Sequence, residues 1–181
     1  MRFERLIEDG RLWAVMYDGE KENVFAKVFD LWNDYEWLED FFCKHIEDLS
    51  RYFHITDVDR AVYDTVDEAN DLECLILDIN PGTDLDELFR PLENTRLSEV
   101  LLGREKARGR RFAHASWLRL YAIRLESGRY IITGGAIKLT ATMQEREHTL
   151  KELNNMNRVR DFLIEQGIAD YDGFRELTNQ D

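Results

Sequence analysis

Two apolar runs joined by a tight turn, residues 117–139, constrain this chain more than any other stretch. The first run is rich in aromatic and branched residues, and Gly128 supplies the turn because glycine adopts positive φ at little cost. The second run continues the strand pattern to Leu139. Both faces of these strands are mostly apolar, which predicts a β-hairpin near the middle of a sheet that is covered on both sides.

Two cations interrupt the apolar hairpin. Arg119 and Arg124 lie in its first strand, and Tyr121 shares a face with Arg119. In the second strand, Gly134 and Gly135 predict a bend or bulge. Arginines among apolar residues either belong to a functional site or form an internal salt bridge, and the sequence leaves both interpretations open.

The charge of the chain is unevenly distributed. The net charge of the 181 residues is −13, and residues 1–100 carry 10 Lys or Arg against 26 Asp or Glu. Residues 101–146, which contain the hairpin, carry 10 Lys or Arg against 3 Asp or Glu. This segment is either a site for a polyanion such as RNA, or it is neutralised internally by the acidic segments.

Alternate residues from 104 to 110 are basic, and an extended strand would align them on one face. We interpret the arginines as candidate RNA-binding residues, although a flexible solvated loop is an equally good interpretation. The candidate RNA-binding residues are Arg104, Arg108, Arg110 and Arg124, and Lys106 belongs to the same basic strand.

The N-terminal part predicts one strand followed by helices. Residues 12–17 are an apolar run, and from Asn23 apolar residues recur every three or four positions. Asn23 and Asp34 are candidate N-caps of two successive helices, of which the second is expected over 34–50. Both predicted helices carry wide apolar faces that require a covering layer.

The remaining helices follow the same pattern. In the acidic, motif-free segment we expect a short helix capped by Thr56, then helices over 66–79 and 84–92. A C-terminal helix is expected over 147–166 with a short helical tail at 174–177.

Several classes of protein are excluded by what the sequence lacks. Cys43 and Cys74 lie in apolar helical patterns, so we expect both to be buried thiols. No apolar run approaches the roughly 18 residues that span a bilayer, and the N-terminus is charged, so we expect a cytoplasmic protein without a membrane segment. The histidines have no neighbours at metal-ligand spacing, and we expect neither a metal nor a cofactor.

The basic strand, the hairpin and the last helix, at about residues 92–162, together resemble one known family. A leucine-glycine turn leads into the basic strand, the hairpin reads L-R-x-Y-x-x-R-x-x-x-G-x-Y-I-I, and G-x-x-K precedes the last helix. This order is similar to that of the RelE/HigB toxins of bacterial toxin-antitoxin modules. The resemblance implies a metal-independent endoribonuclease that acts on RNA at the ribosome and is inhibited by an antitoxin-like protein partner.

The resemblance also implies roles for individual residues. Arg119 matches the hairpin arginine of the family, and Lys138 matches the lysine that follows its last strand. Lys106 lies on the stretch that matches the basic strand of the family. Tyr121 would stack on a base or donate a proton. These four are the candidate catalytic residues for attack of a ribose 2′-hydroxyl on the neighbouring phosphate. The alternative for each is a structural contact with the acidic helices, and no motif assigns a general acid.

The sequence therefore predicts a single α+β domain, 1–181, with a small antiparallel sheet of about four strands, one N-terminal and three C-terminal. Residues 1–53 would supply the first strand and helices, 54–92 an acidic helical insertion, and 93–181 the basic strand, hairpin and last helix. Two functions stay open: a toxin-like ribonuclease, or a non-catalytic interaction protein whose basic face is covered by the acidic helices or by a partner.

Overall fold

The computed structural model describes residues 1–91, 103–107, 114–168 and 170–179, with the backbone alone at 103–107. The strands are β1 (Arg2–Arg5), β2 (Leu12–Met16), β3 (Arg90–Pro91), β4 (Gly103–Ala107), β5 (Leu118–Glu126) and β6 (Arg129–Ile137). The helices are α1 (Val24–Trp32), α2 (Tyr35–Lys44), α3 (Ile46–Phe53), α4 (Val58–Leu77), α5 (Leu85–Leu88), α6 (Glu147–Glu165) and α7 (Tyr171–Thr178). None of the helices in these ranges has the length and apolar character needed to cross a membrane.

The strands form one sheet in the order β1-β2-β6-β5-β4-β3, which confirms the expected α+β class. The four expected strands are β2, β4, β5 and β6, and the short strands β1 and β3 extend the sheet at its edges. β2 runs parallel to β6, whereas the expectation was an antiparallel sheet. Most of the chain separates these two strands, so no tight turn dictates their relative direction.

The predicted hairpin is confirmed. β5 and β6 are joined by a two-residue turn in which Gly128 has φ 69°. Tyr121 pairs with Gly134, and the next pair along β5 skips Thr133, so this threonine is the extra residue of a β-bulge. The bulge therefore directly precedes the two glycines that predicted it.

Helices from the N-terminal half cover one face of the hairpin. An added Cβ on Gly135 would lie 2.8 Å from Val28 and 3.0 Å from the Trp32 ring, so α1 packs directly on the backbone of β6. Trp117 precedes β5, and its Nε1 donates to Thr65 Oγ1 of α4 at 2.9 Å. The acidic helix α4 is thus packed into the core.

The C-terminal helices cover the opposite face. α6 packs on β5 and β6. In α7, the buried ring of Phe174 lies 5.1 Å from the Phe3 ring and 5.2 Å from the Trp13 ring, measured between centroids. With both faces covered, the hairpin lies in the centre of the core, as its two apolar faces predict.

Two predicted helix caps are confirmed. The side chains of Asn23 and Asp34 each accept a hydrogen bond from the backbone N–H three residues later, at 3.1 and 3.0 Å. The helix expected over 34–50 is instead divided into α2 and α3 at His45. Apolar spacing continues across this one-residue break, so periodicity could not reveal it.

The acidic segment folds differently from the prediction. One helix, α4, replaces the two expected there, and its N-cap is Asp57 rather than Thr56. The Asp57 carboxylate accepts from the backbone N–H of Arg60 at 3.0 Å, and a negative charge at this end also interacts favourably with the helix dipole. The helix expected over 84–92 is a single turn, α5.

Both cysteines are exposed, so the expectation of buried thiols is wrong. Cys43 directly follows the fully buried Phe42, and Cys74 lies between the buried Leu72 and Ile76. Each cysteine is adjacent to the apolar stripe of its helix but turned away from it. A rotation of about 100° per residue separates a core position from a surface position in a helix.

Candidate functional site

Arg119 is held by the backbone at the start of β5. Its Nη1 donates to the carbonyl oxygens of Ser116 and Leu118, both at 2.7 Å, and the side chain is half-buried. These two bonds fix the orientation of the guanidinium. A cation that is already oriented stabilises developing negative charge without further reorganisation.

Tyr121 lies two residues further along β5 and is 0% exposed. Its hydroxyl has no hydrogen-bond partner among the residues that the structure describes. Burial raises the pKa of this hydroxyl, Arg119 lowers it and Glu152 raises it further. The hydroxyl is therefore within electrostatic reach of a cation on β5 and of an acid on α6. An unpaired buried hydroxyl costs about 1–3 kcal/mol, because its hydrogen bonds to water are lost on folding.

Burial also bears on the two roles expected for Tyr121. The ring has no exposed surface on which a nucleobase could stack in this conformation. Proton donation by the unpaired hydroxyl stays a prediction.

Strand register brings two more of the predicted residues to this site. Lys106 of β4 is the direct cross-strand partner of Tyr121, and Arg104 is the partner of Ile123. Arg108 and Arg110 lie outside the described residues. The antiparallel ladder thus gathers Arg104, Lys106, Arg119 and Tyr121 on two neighbouring strands.

Lys138 and Arg124 lie at opposite ends of the hairpin. Nζ of Lys138 donates to the carbonyl oxygens of Thr140 and Ala141, both at 2.6 Å. Nη2 of Arg124 donates to Oδ2 of Asp86 in α5 at 3.5 Å. Arg124 is therefore paired with the acidic segment, and Lys138 stabilises the loop that follows β6.

Glu152 of α6 faces the bulge. A Cβ added to Gly134 would overlap Glu152 Oε2, so the carboxyl group occupies the space that this glycine leaves open. Asn155 Nδ2 donates to Oε1 at 3.3 Å. Burial raises the pKa of Glu152 to about 7, against smaller lowering effects of the Asn155 hydrogen bond and the Lys151 charge. Near neutral pH this group can either accept or donate a proton, as general acid–base catalysis requires.

No family model matches this chain, and neither does a curated protein or a solved structure. The resemblance to RelE/HigB toxins therefore stays a prediction, based on the hairpin pattern and the basic strand.

A second acid, Glu68 of α4, lies near the start of β5. It is 1% exposed, and within the described ranges neither of its carboxyl oxygens has a hydrogen-bond partner. Burial raises the pKa of Glu68, whereas the nearby Ser116 hydroxyl, His114 and Arg119 lower it. The Ser116 hydroxyl donates instead to the Leu118 carbonyl oxygen, at 3.3 Å. The acidic helix thus places a buried carboxyl group close to the predicted catalytic arginine.

A histidine pair lies beyond the far end of β6. The rings of His45 and His148 are 5.1 Å apart, and His148 Nε2 donates to the Ile137 carbonyl oxygen at 2.9 Å. Burial lowers the pKa of both histidines. Across the part of the chain that the structure describes, no three His, Cys, Asp or Glu side chains are grouped to hold a metal ion.

Glu152 is the site residue that the sequence analysis missed, although a signal was present. Thr149, Met156, Val159 and Leu163 are the buried residues of α6, and Glu152 falls at the helical spacing between the first two. A carboxylate at an inward helical position marks a candidate for a functional acid.

Proposed function

We propose that this chain is a RelE/HigB-like toxin, a metal-independent ribonuclease that binds RNA over β4 and β5. The observation that carries the proposal is the pairing of Lys106 with Tyr121, two residues from the anchored Arg119. Arg104 extends the line of basic positions along β4. RNA cleavage by a 2′-hydroxyl needs cations near the phosphate, because negative charge accumulates there in the transition state.

In this proposal Arg119 and Lys106 stabilise the phosphorane, and Arg104, Arg108 and Arg110 contact neighbouring phosphates. The acidic remainder of the chain repels stray nucleic acid, which confines binding to the basic segment. An antitoxin-like protein would inhibit the enzyme by covering the same strands.

The test is cleavage of a 5′-labelled single-stranded RNA by the purified chain in EDTA. We expect a 2′,3′-cyclic phosphate product and a loss of about 10²–10³-fold in rate for Arg119→Ala, as for removal of one transition-state donor. Lys21→Ala, which removes an exposed cation far along the chain, is the matched control. No cleavage by the purified chain, together with unaffected growth of bacteria that express it, would refute the proposal.

A non-catalytic interaction protein is the second candidate. It is favoured by the contacts of the acidic segment, since Arg124 pairs with Asp86 and Arg119 lies near Glu68. If these acids mask the basic strands, Glu68→Gln should strengthen RNA binding without producing cleavage. A variant that binds RNA no more tightly than the unmodified chain would argue against masking by this residue.

A further inference from the structure

Arg119 and Glu152 approach the same buried hydroxyl from two different elements. Both act electrostatically on Tyr121, the former from β5 and the latter from α6. Tyr121 is also the strand partner of Gly134, and the Glu152 carboxyl group occupies the position of the missing Cβ there. The bulge and the absent side chain together admit a carboxyl group to the sheet surface at the strand partner of Tyr121.

We propose that Glu152 is the general base of the site, which removes the proton from the ribose 2′-hydroxyl. This inference rests on the proposed ribonuclease function and adds the group that the sequence motifs left unassigned. Unlike Tyr121, Glu152 is only half-buried, so part of its side chain is accessible to a substrate.

The 2′-oxygen attacks phosphorus and forms the new O–P bond while its proton passes to a Glu152 carboxylate oxygen. The bond from phosphorus to the 5′-oxygen breaks, and the leaving oxygen takes a proton from water. The products are a 2′,3′-cyclic phosphate and a 5′-hydroxyl, and Glu152 returns its proton to solvent. No oxidant, reductant or metal is required.

The surroundings of Glu152 suit this role. Among the described residues, its charged and titratable neighbours are Lys151 on its own helix, Tyr121 on β5 and Tyr17 after β2. Glu152 raises the pKa of Tyr17. Tyr17 donates its hydroxyl proton to the Thr133 carbonyl oxygen at 2.9 Å, so it does not compete for Glu152. A pKa of about 7 leaves the carboxylate form populated at neutral pH, yet basic enough to take a proton.

The test compares Glu152→Gln with the unmodified chain on the 5′-labelled RNA between pH 5 and 9. We expect the unmodified rate to rise with pH and level off above about 7. The variant should lose about 10²–10⁴-fold in rate and lose this rise with pH, because glutamine cannot accept the proton. Its affinity for the RNA should be unchanged or higher. Asp161→Asn is the control, because it removes the charge of an exposed carboxylate on the same helix. This variant should retain both the rate and the pH profile.

Gly134→Ala is an independent test, because its methyl group displaces the carboxyl group and leaves Glu152 chemically intact. We expect it to slow cleavage as well. If the unmodified chain cleaves RNA and Glu152→Gln retains the rate and the pH profile, the role of Glu152 is overturned and the ribonuclease survives. If the unmodified chain does not cleave RNA at all, both proposals fall.

Discussion

Replacing Glu152 by glutamine should stabilise the protein at alkaline pH. In the folded chain burial raises the pKa of this group from an ordinary value of 4.5 to about 7. Below pH 4.5 the group is protonated in both states and contributes nothing. Between 4.5 and 7 the folded state holds the proton that the unfolded state releases, so the free energy of unfolding falls as pH rises.

The size of this effect follows from the two pKa values. At about 1.4 kcal/mol for each pH unit, the difference corresponds to a ceiling of about 3 kcal/mol at pH 8. The remaining solvent contact of the half-buried side chain reduces this to about 2 kcal/mol. That is a large fraction of the 5–15 kcal/mol by which domains are usually stable. A site that retains such a carboxyl group sacrifices stability, as functional sites commonly do.

Urea unfolding at pH 4.5 and pH 8, followed by tryptophan fluorescence, measures this effect. Glu152→Gln should match the unmodified chain at pH 4.5 and exceed it by about 2 kcal/mol at pH 8. Asp161→Asn is the control, and we expect no comparable pH-dependent difference because its side chain is exposed. A constant difference between Glu152→Gln and the unmodified chain at both pH values would refute the reasoning, since it would show that the burial of Glu152 does not oppose its ionisation.

Three further predictions concern the fold. Gly135→Ala should lower the free energy of unfolding by about 1–3 kcal/mol, because its Cβ would lie 3.0 Å from the rigid Trp32 ring. Urea unfolding that is unchanged by this substitution would contradict the packing of α1 on β6. Asp86→Asn should destabilise by about 1–3 kcal/mol, since its carboxylate accepts hydrogen bonds from four groups around the hairpin turn: Arg124, Ser127, Gly128 and Tyr130. Burial raises the pKa of Asp86, but these contacts outweigh it and lower the pKa below its ordinary value of 3.8. The stabilisation that Asp86 provides should therefore fade as pH drops towards and below 3.8. Thermal melts of Asp86→Asn and the unmodified chain at pH 3 and 7 would reveal this loss. Cys43 and Cys74 should both react with a thiol reagent in the folded state, and unfolding in urea should change their reaction rates little. A cysteine that reacts only after unfolding would contradict the exposure of its side chain.

The hairpin could be predicted because its signals are local. Strand alternation, a turn glycine at 128 and the adjacent glycines 134 and 135 specify its two strands and its bulge without reference to distant residues. The caps Asn23 and Asp34 are equally local, since each bonds a backbone group three residues away. Signals of this kind need only the sequence on either side of them.

The site could be predicted only in part. Arg119 and Tyr121 share one strand, so their proximity follows from alternation alone. The pairing of Lys106 with Tyr121 depends on the register between two strands, and the approach of Glu152 depends on how α6 packs across the sheet. Neither register nor helix packing is encoded in local spacing.

Pattern and turn chemistry by themselves determined a central hairpin, an α+β class and a basic strand within an acidic chain. Tertiary structure decided which charges meet: Arg124 with Asp86, Arg119 near Glu68, and Glu152 beside Tyr121. The physical reason is that hydrophobic burial brings the elements together with little directional preference. Which polar groups become neighbours, and how strongly burial shifts their pKa values, is fixed only when the helices have packed on the sheet.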